Sequence, residues 1–167
     1  MQKVMIIGNG GSGKSTLAKQ LGAMLEIPVY HMDALFWKPG WTPIDRDTLI
    51  RETKKIMGQD KWIIDGNYNA TMEIRMQQAD TIIFLHYRTI HCLYGIVKRR
   101  IQYRNRTRSD MGKGCPEKLD WEFFNWVRTF NKKKAPTIYH KLSNYQDKHI
   151  LIFKRRKDLN HFVHTLL

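Results

Sequence analysis

The chain has 167 residues, 42% of them hydrophobic, which suits one domain with a sizeable core and excludes a disordered segment. Its net charge of +14 favours anionic partners such as nucleotides, nucleic acid or an acidic membrane surface, without choosing among them. No apolar run is long enough to span a membrane, and Cys92 and Cys115 form neither metal-type spacing nor a disulfide framework, so the expected location is cytoplasmic.

Lys3 to Ile7 reads as a buried first strand, and its apolar run ends in a Gly-rich turn rather than a leader sequence. That turn is Gly8-Asn9-Gly10-Gly11-Ser12-Gly13-Lys14-Ser15, the G-x-x-x-x-G-K-S pattern between a strand and a helix start. Its physics is specific. Glycines let successive N–H groups curl around a phosphate, and the helix start adds unpaired donors and the positive end of its dipole. Gly8, Gly10, Gly11, Ser12, Gly13, Lys14, Ser15 and Thr16 are therefore nucleotide-binding candidates. Lys14 can reach the β- and γ-phosphates of ATP, and the Ser15 hydroxyl can ligate Mg²⁺.

A helix from Ser15 to Leu25 follows, with Leu17, Leu21 and Leu25 on one face, then a short strand from Val29 to Met32. Asp33 stands at that strand's carboxyl end, where open α/β sheets bind ligands. The aromatic loop from Ala34 to Trp41 either lines an acceptor pocket or plugs the core. Asp45 caps a helix to about Met57. Lys61 to Ile64 is a third strand, followed by Asp65-Gly66-Asn67-Tyr68. Asp65 can hold Mg²⁺ through water, opposite Ser15, or can cap the next helical stretch, which carries Arg75.

Thr81 to Leu85 is a continuous apolar fourth strand, with Arg88 just beyond it. The helix from Ile90 to about Tyr103 has Leu93, Ile96, Val97 and Ile101 as apolar positions and ends in Lys98, Arg99 and Arg100. Residues 104–116 form a mobile basic loop with Arg104, Arg106 and Arg108. From Arg88 to Lys134 thirteen Lys and Arg face four Asp and Glu, so this stretch holds +9 of the net charge. A helix from Glu117 to Lys134 carries Leu119, Phe123, Trp126, Val127 and Phe130 on its core face. A helix from Ala135 to Tyr145, a fifth strand from Ile150 to Phe153 and a capping helix from Asp158 to Leu167 complete the chain. The alternation predicts an α/β domain over residues 1–167 with a five-stranded parallel sheet.

A phosphoryl transferase needs an acceptor group and cations for the charge on the moving phosphoryl. The candidates are Asp33, Asp65, Arg75, Arg88, Arg99, Arg100, Arg104, Arg106 and Arg108, with the arginine loop suited to a lid that excludes water. Any one of these arginines can equally be a solvated charge.

Gly8 to Ser15, His31-Met32-Asp33-Ala34-Leu35-Phe36-Trp37, Trp62-Ile63-Ile64-Asp65-Gly66-Asn67-Tyr68, Arg75, Ala79-Asp80, Arg88, Cys92 and Gly114-Cys115-Pro116-Glu117-Lys118 together resemble the adenylate-kinase-like P-loop kinases. Within them they are similar to the bacterial subgroup known as DNA topology modulation proteins. The resemblance implies the P-loop NTPase fold, sheet order 2-3-1-4-5, and a small basic lid over about residues 99–118. It sets Asp65-Gly66 where nucleoside monophosphate kinases carry Asp-Gly-Phe-Pro-Arg. Phe-Pro is here Asn-Tyr, and Arg75 is the nearest substitute for the arginine. It also sets Asp33 where shikimate-kinase-like enzymes hold an acceptor hydroxyl, matches Arg99 and Arg104 to Arg108 to the lid, and puts Arg155 and Arg156 in the adenine-side loop.

The reading that follows is an ATP- and Mg²⁺-dependent kinase of a small acceptor, a nucleoside, nucleotide or related metabolite, with Lys14, Asp33, Asp65, Arg75, Arg88 and Arg104 as catalytic candidates, Arg99 beside the nucleotide, and Ser15 and Asp65 at the metal. The alternative is a nucleotide-dependent DNA-binding protein that meets nucleic acid non-specifically through its basic surface, with affinity falling steeply in salt. A nucleotide switch without transfer is a third reading. Oligomeric state is left open by the sequence.

Overall fold

The computed structural model describes residues 1–166, so Leu167, the end of the expected capping helix, lies outside the described residues. Five strands form one parallel sheet: β1 (Lys3–Gly8), β2 (Val29–His31), β5 (Trp62–Asp65), β6 (Thr81–Leu85) and β7 (His149–Phe153), in the order β2-β5-β1-β6-β7. Counted along the chain, this is the expected order 2-3-1-4-5. The register sets the Asp65 end of β5 beside His31 of β2 and Ile6 of β1, and Gly8 opposite Leu85 of β6.

Alternation along the strands divides the core into two layers. Met5, Ile7, Trp62, Ile64, Ile82 and Phe84 face one side, under α3 (Arg46–Met57), α4 (Asn69–Gln78) and α7 (Ala135–Leu142). Val4, Ile6, Ile63, Ile83 and Leu85 face the other, under α1 (Lys14–Leu25), α5 (Thr89–Gln102) and α8 (Arg156–His164). The remaining long helix, α6 (Trp121–Lys133), sends Val127 into one layer and Phe130 into the other. The expected caps hold: Asp45 accepts from the Thr48 N–H at 2.8 Å and starts α3. The start of α6 is corrected, because Asp120 accepts from the Phe123 N–H at 2.8 Å and delays the helix to Trp121.

Three further expectations are corrected. The second strand ends at His31, and Met32 begins a short helix, α2 (Met32–Phe36), so Asp33 lies in a first helical turn. The aromatic loop contains a small antiparallel hairpin, β3 (Trp37–Lys38) with β4 (Thr42–Pro43), turned by left-handed backbone at Gly40 and Trp41. On α5 the buried positions are Cys92 and Ile96, whereas Ile101 is 74% exposed and Val97 also faces solvent. No helix among the described residues is long and apolar enough to cross a membrane.

Candidate active site

The carboxyl ends of β2, β5, β1, β6 and β7 open into one cleft of about 1160 Å³. The P-loop forms its floor. Gly10, Gly11, Gly13, Lys14, Ser15 and Thr16 line it, while Gly8 and Ser12 are buried beneath. Ser12 donates its hydroxyl to the Asn9 carbonyl at 2.7 Å, and Asn9 donates through Nδ2 to the Val127 carbonyl at 2.9 Å, so the loop is anchored to α6. Helix α5 rests directly on it: a Cβ at Gly95 would lie 2.2 Å from the Gly11 carbonyl oxygen.

Lys14 donates to the Asn9 carbonyl at 2.8 Å and, among the described residues, forms no ion pair. Burial pulls its ammonium below the ordinary value, against the opposing pull of Asp65 and Asp33. Asp65 is buried and takes the His31 ring nitrogen, Nδ1, at 2.8 Å from its Oδ1. It caps no helix, because α4 begins four residues later.

The Asp-Gly-Asn-Tyr stretch ties the phosphate floor to the acceptor side. Asn67 accepts from the Gly8 N–H at 3.1 Å and donates to the Gly8 carbonyl at 2.8 Å. Tyr68 donates its hydroxyl to Asp33 Oδ1 at 2.7 Å. Burial and the adjoining Asp33 carboxylate push that phenol far above its usual value, so it stays a donor. Gly66, at φ +123°, turns the chain where a Cβ would press on Met32.

Arg75 has a different place from the expected one. It is fully buried and does not line the cleft. Its guanidinium donates to the carbonyls of Gly66, Asn67 and Tyr68 at 2.7–3.2 Å and to Thr71. It therefore holds the loop that carries Asn67 and Tyr68 and has no free edge toward a phosphoryl group. Arg104 is also displaced: it is exposed, bridges by backbone to Glu117 and is not among the cleft residues. Arg88 and Arg99 do line the cleft.

The segment expected to form a lid is tied to its surroundings by ion pairs. Glu117 is buried, with Oε1 accepting from Arg99 Nε at 2.8 Å and Oε2 lying 2.9 Å from Arg108 Nε. Arg108 donates to Asp110 at 2.7 Å, and Asp110 in turn faces Lys19 at 3.9 Å. Gly114 accepts from Gly40 at 3.0 Å, and Cys115 donates to the Lys38 carbonyl at 3.1 Å, docking the lid on the hairpin. Within the basic stretch Arg108 is buried and Arg99 and Arg100 are half-buried, while its other cations face solvent. Trp37 and Trp41 line the cleft, while Leu35 and Phe36 pack on the core, so the aromatic segment is divided between the two.

His31, Asn67, Tyr68, Asp110 and Glu117 escape sequence reasoning as site residues. The available signal was the quoted Asp-Gly-Asn-Tyr motif, whose asparagine and tyrosine follow a carboxylate at a strand end. For Glu117 the signal was its place in the quoted Gly114-Cys115-Pro116-Glu117-Lys118 motif.

The fold is similar to that of solved shikimate kinases. The shikimate kinase of Acinetobacter baumannii, solved with shikimate, superposes with a TM-score of 0.66 over 99% of this chain and 90% of that one, at 13% identity. The shikimate kinase of Bacteroides thetaiotaomicron gives 0.53 over 98% and 94%, at 16% identity. An uncharacterized protein of Eubacterium ventriosum gives 0.52 over 99% and 96%, at 16% identity. No family model matches the chain, and no curated protein matches it.

Proposed function

We propose that the chain is a kinase that moves the γ-phosphoryl group of ATP to a hydroxyl of a small acceptor with Mg²⁺. One observation carries the reading: Lys14 sits at the base of the cleft, partly desolvated, with the Asn9 carbonyl as its only hydrogen-bond acceptor among the described residues and with Asp33 and Asp65 nearby. An ammonium so placed fits a phosphate anion. The donor set also fits a hard divalent cation, since Ser15 and Asp65 offer oxygen at the same floor. A Mg²⁺ ion held there would neutralise charge on the β- and γ-phosphates.

The chain's own groups supply the remaining chemistry. The P-loop N–H groups and Lys14 bind the polyphosphate. Asp33 keeps one oxygen on Tyr68 and turns the other to the acceptor hydroxyl, whose proton it takes as the oxygen attacks the γ-phosphorus. The bond to the β-phosphate oxygen breaks, and ADP leaves. Arg88 at the mouth, which has no acidic partner among the described residues, faces the charge that spreads over the moving group, while Arg99 and Arg108 border the cleft with Glu117 between them. The fold shared with shikimate kinases supports the reading. The test is acceptor-dependent ADP formation. Lys14→Ala should lose transfer while keeping its secondary structure; undiminished transfer by that variant would sink the assignment.

A further inference from the structure

We infer, resting on the kinase reading, that the acceptor is an uncharged ring compound bearing a hydroxyl, a nucleoside or a free sugar, and neither a phosphorylated nor a carboxylated one. The sheet order separates the two ends of the cleft. The carboxyl ends of β6 and β7 form one end, and those of β2 and β5, with Asp33, form the other.

The cations are distributed unequally between these ends. At the β6 and β7 end, Arg88, Lys154 and Arg156 line the cleft and have no acidic partner within 4 Å among the described residues, as suits a bound polyphosphate. Around Asp33, Arg75, Arg99, Arg108 and Lys118 are already engaged, and the cleft cations unpaired among the described residues, Lys14 and Lys98, stand at the P-loop and on α5. Arg75 is turned into backbone carbonyls. Arg99 and Arg108 share Glu117, and Arg108 also holds Asp110. Lys118 lies over the Trp41 ring at 4.6 Å and 3.6 Å from Asp120.

A phosphate or carboxylate on the acceptor would therefore have to displace an existing pair and sit near the Asp33 carboxylate. An anion taken from water without a free cation binds poorly. What the acceptor end does offer is flat apolar surface beside a hydroxyl-binding carboxylate. Trp37 and Trp41 meet edge to face at 5.4 Å between centroids, and both border the cleft. A sugar ring or a base packs on such faces, while its hydroxyl reaches Asp33.

The experiment uses the full chain with Mg-ATP and matched acceptors that differ by one charged group. Nucleosides are compared with their 5′-monophosphates, and free hexoses with the corresponding hexuronates. Turnover is read by ADP formation, and acceptor binding by calorimetry with a non-hydrolysable ATP analogue present. The expected result is kcat/KM at least about tenfold higher for the uncharged member of a pair. Trp41→Ala should raise the acceptor KM while leaving the ATP KM in place. Whether nucleosides or hexoses turn over tells the two sources apart. A charged acceptor used equally well or better overturns the inference and leaves the kinase reading standing. Binding of no uncharged ring overturns the inference as well. Failure of the wild-type chain to bind ATP would overturn the kinase reading itself.

Discussion

Tyr68 holds Asp33. The phenol hydroxyl donates to Asp33 Oδ1 at 2.7 Å, across 35 residues of chain, and Arg75 fixes the Tyr68 carbonyl from behind. The bond leaves one carboxylate oxygen for a hydroxyl to be phosphorylated. Tyr68→Phe removes the donor and lets the carboxylate turn. With folding costs of about 1 kcal/mol for the lost bond, the expected result is a kcat roughly tenfold lower with the ATP KM unchanged. Asp33→Asn should cost more, about 10² to 10⁴ in kcat, as for loss of a general base. Steady-state kinetics with ATP varied at saturating acceptor separates the two parameters. An unchanged kcat in Tyr68→Phe would reduce the tyrosine to packing.

Gly95 sets how closely α5 approaches the P-loop. A methyl group there would lie 2.2 Å from the Gly11 carbonyl oxygen and 3.1 Å from its Cα, and both neighbours are backbone. Gly95→Ala must push the helix and the loop apart, at a cost of roughly 1–3 kcal/mol for overpacking. Since the loop's N–H groups would then point away from a common centre, ATP should bind at least about tenfold less tightly. Thermal unfolding with and without Mg-ATP checks this. Wild type should gain in Tm on adding nucleotide, and the variant should lose most of that gain.

How much of this could be read in advance depends on the range of the interaction. The strand Thr81–Leu85 is visible residue for residue, because an unbroken run of apolar β-formers buried on both faces has few other readings. The phosphate floor is equally legible, since its pattern is contiguous. Asp33 and Asp65 are findable as acids closing strands. The failures arise where distant chain decides. Arg75 reads as a catalytic candidate until the carbonyls of residues 66–68 are seen turning toward it. The Trp37–Pro43 hairpin is short and is held by the lid through Gly114 and Cys115, contacts more than 70 residues away in sequence. The α5 periodicity shows which residues are apolar, but Val97 and Ile101 face solvent because the helix is turned to lay Cys92 and Ile96 against the P-loop layer.

Glu117 joins α5 to the lid. Its carboxylate lies between Arg99 and Arg108, and its backbone carbonyl accepts from Arg100 at 3.1 Å. Glu117→Gln leaves two guanidinium groups sharing a neutral amide in a buried position. Breaking a buried pair costs about 3–5 kcal/mol, and the lower end applies because Arg108 keeps Asp110 and Arg99 is partly exposed. The loss should be local. Residues 104–116 should become readily cleaved by trypsin while the sheet and its helices resist, and added Mg-ATP should restore part of the protection. A cleavage pattern identical to wild type would show that the lid is held by its hairpin contacts instead.

Asp80 gives the fold a defined dependence on acid. One carboxylate oxygen accepts from the N–H groups of Gln2 and Lys3 at 2.8 and 2.9 Å, and the other from the Thr81 hydroxyl at 2.6 Å, so the side chain fastens the start of β1 to β6. Partial burial would push the carboxyl up, but Thr81 and the two backbone donors outweigh it and hold it below its ordinary 3.8. A depressed acid pKa contributes stability that is fully present above the unfolded value, near 3.9, and disappears as pH falls through the lower folded value. Asp80→Asn should therefore cost about 1–2 kcal/mol at pH 7, the scale of hydrogen bonds to a charged acceptor. The wild-type and variant curves should converge as the pH drops below 3.8. Denaturant unfolding followed by far-ultraviolet circular dichroism from pH 7 to about pH 3 measures both. A gap that persisted unchanged at the acid end would mean that the shape of the side chain, and not its charge, secures the strand.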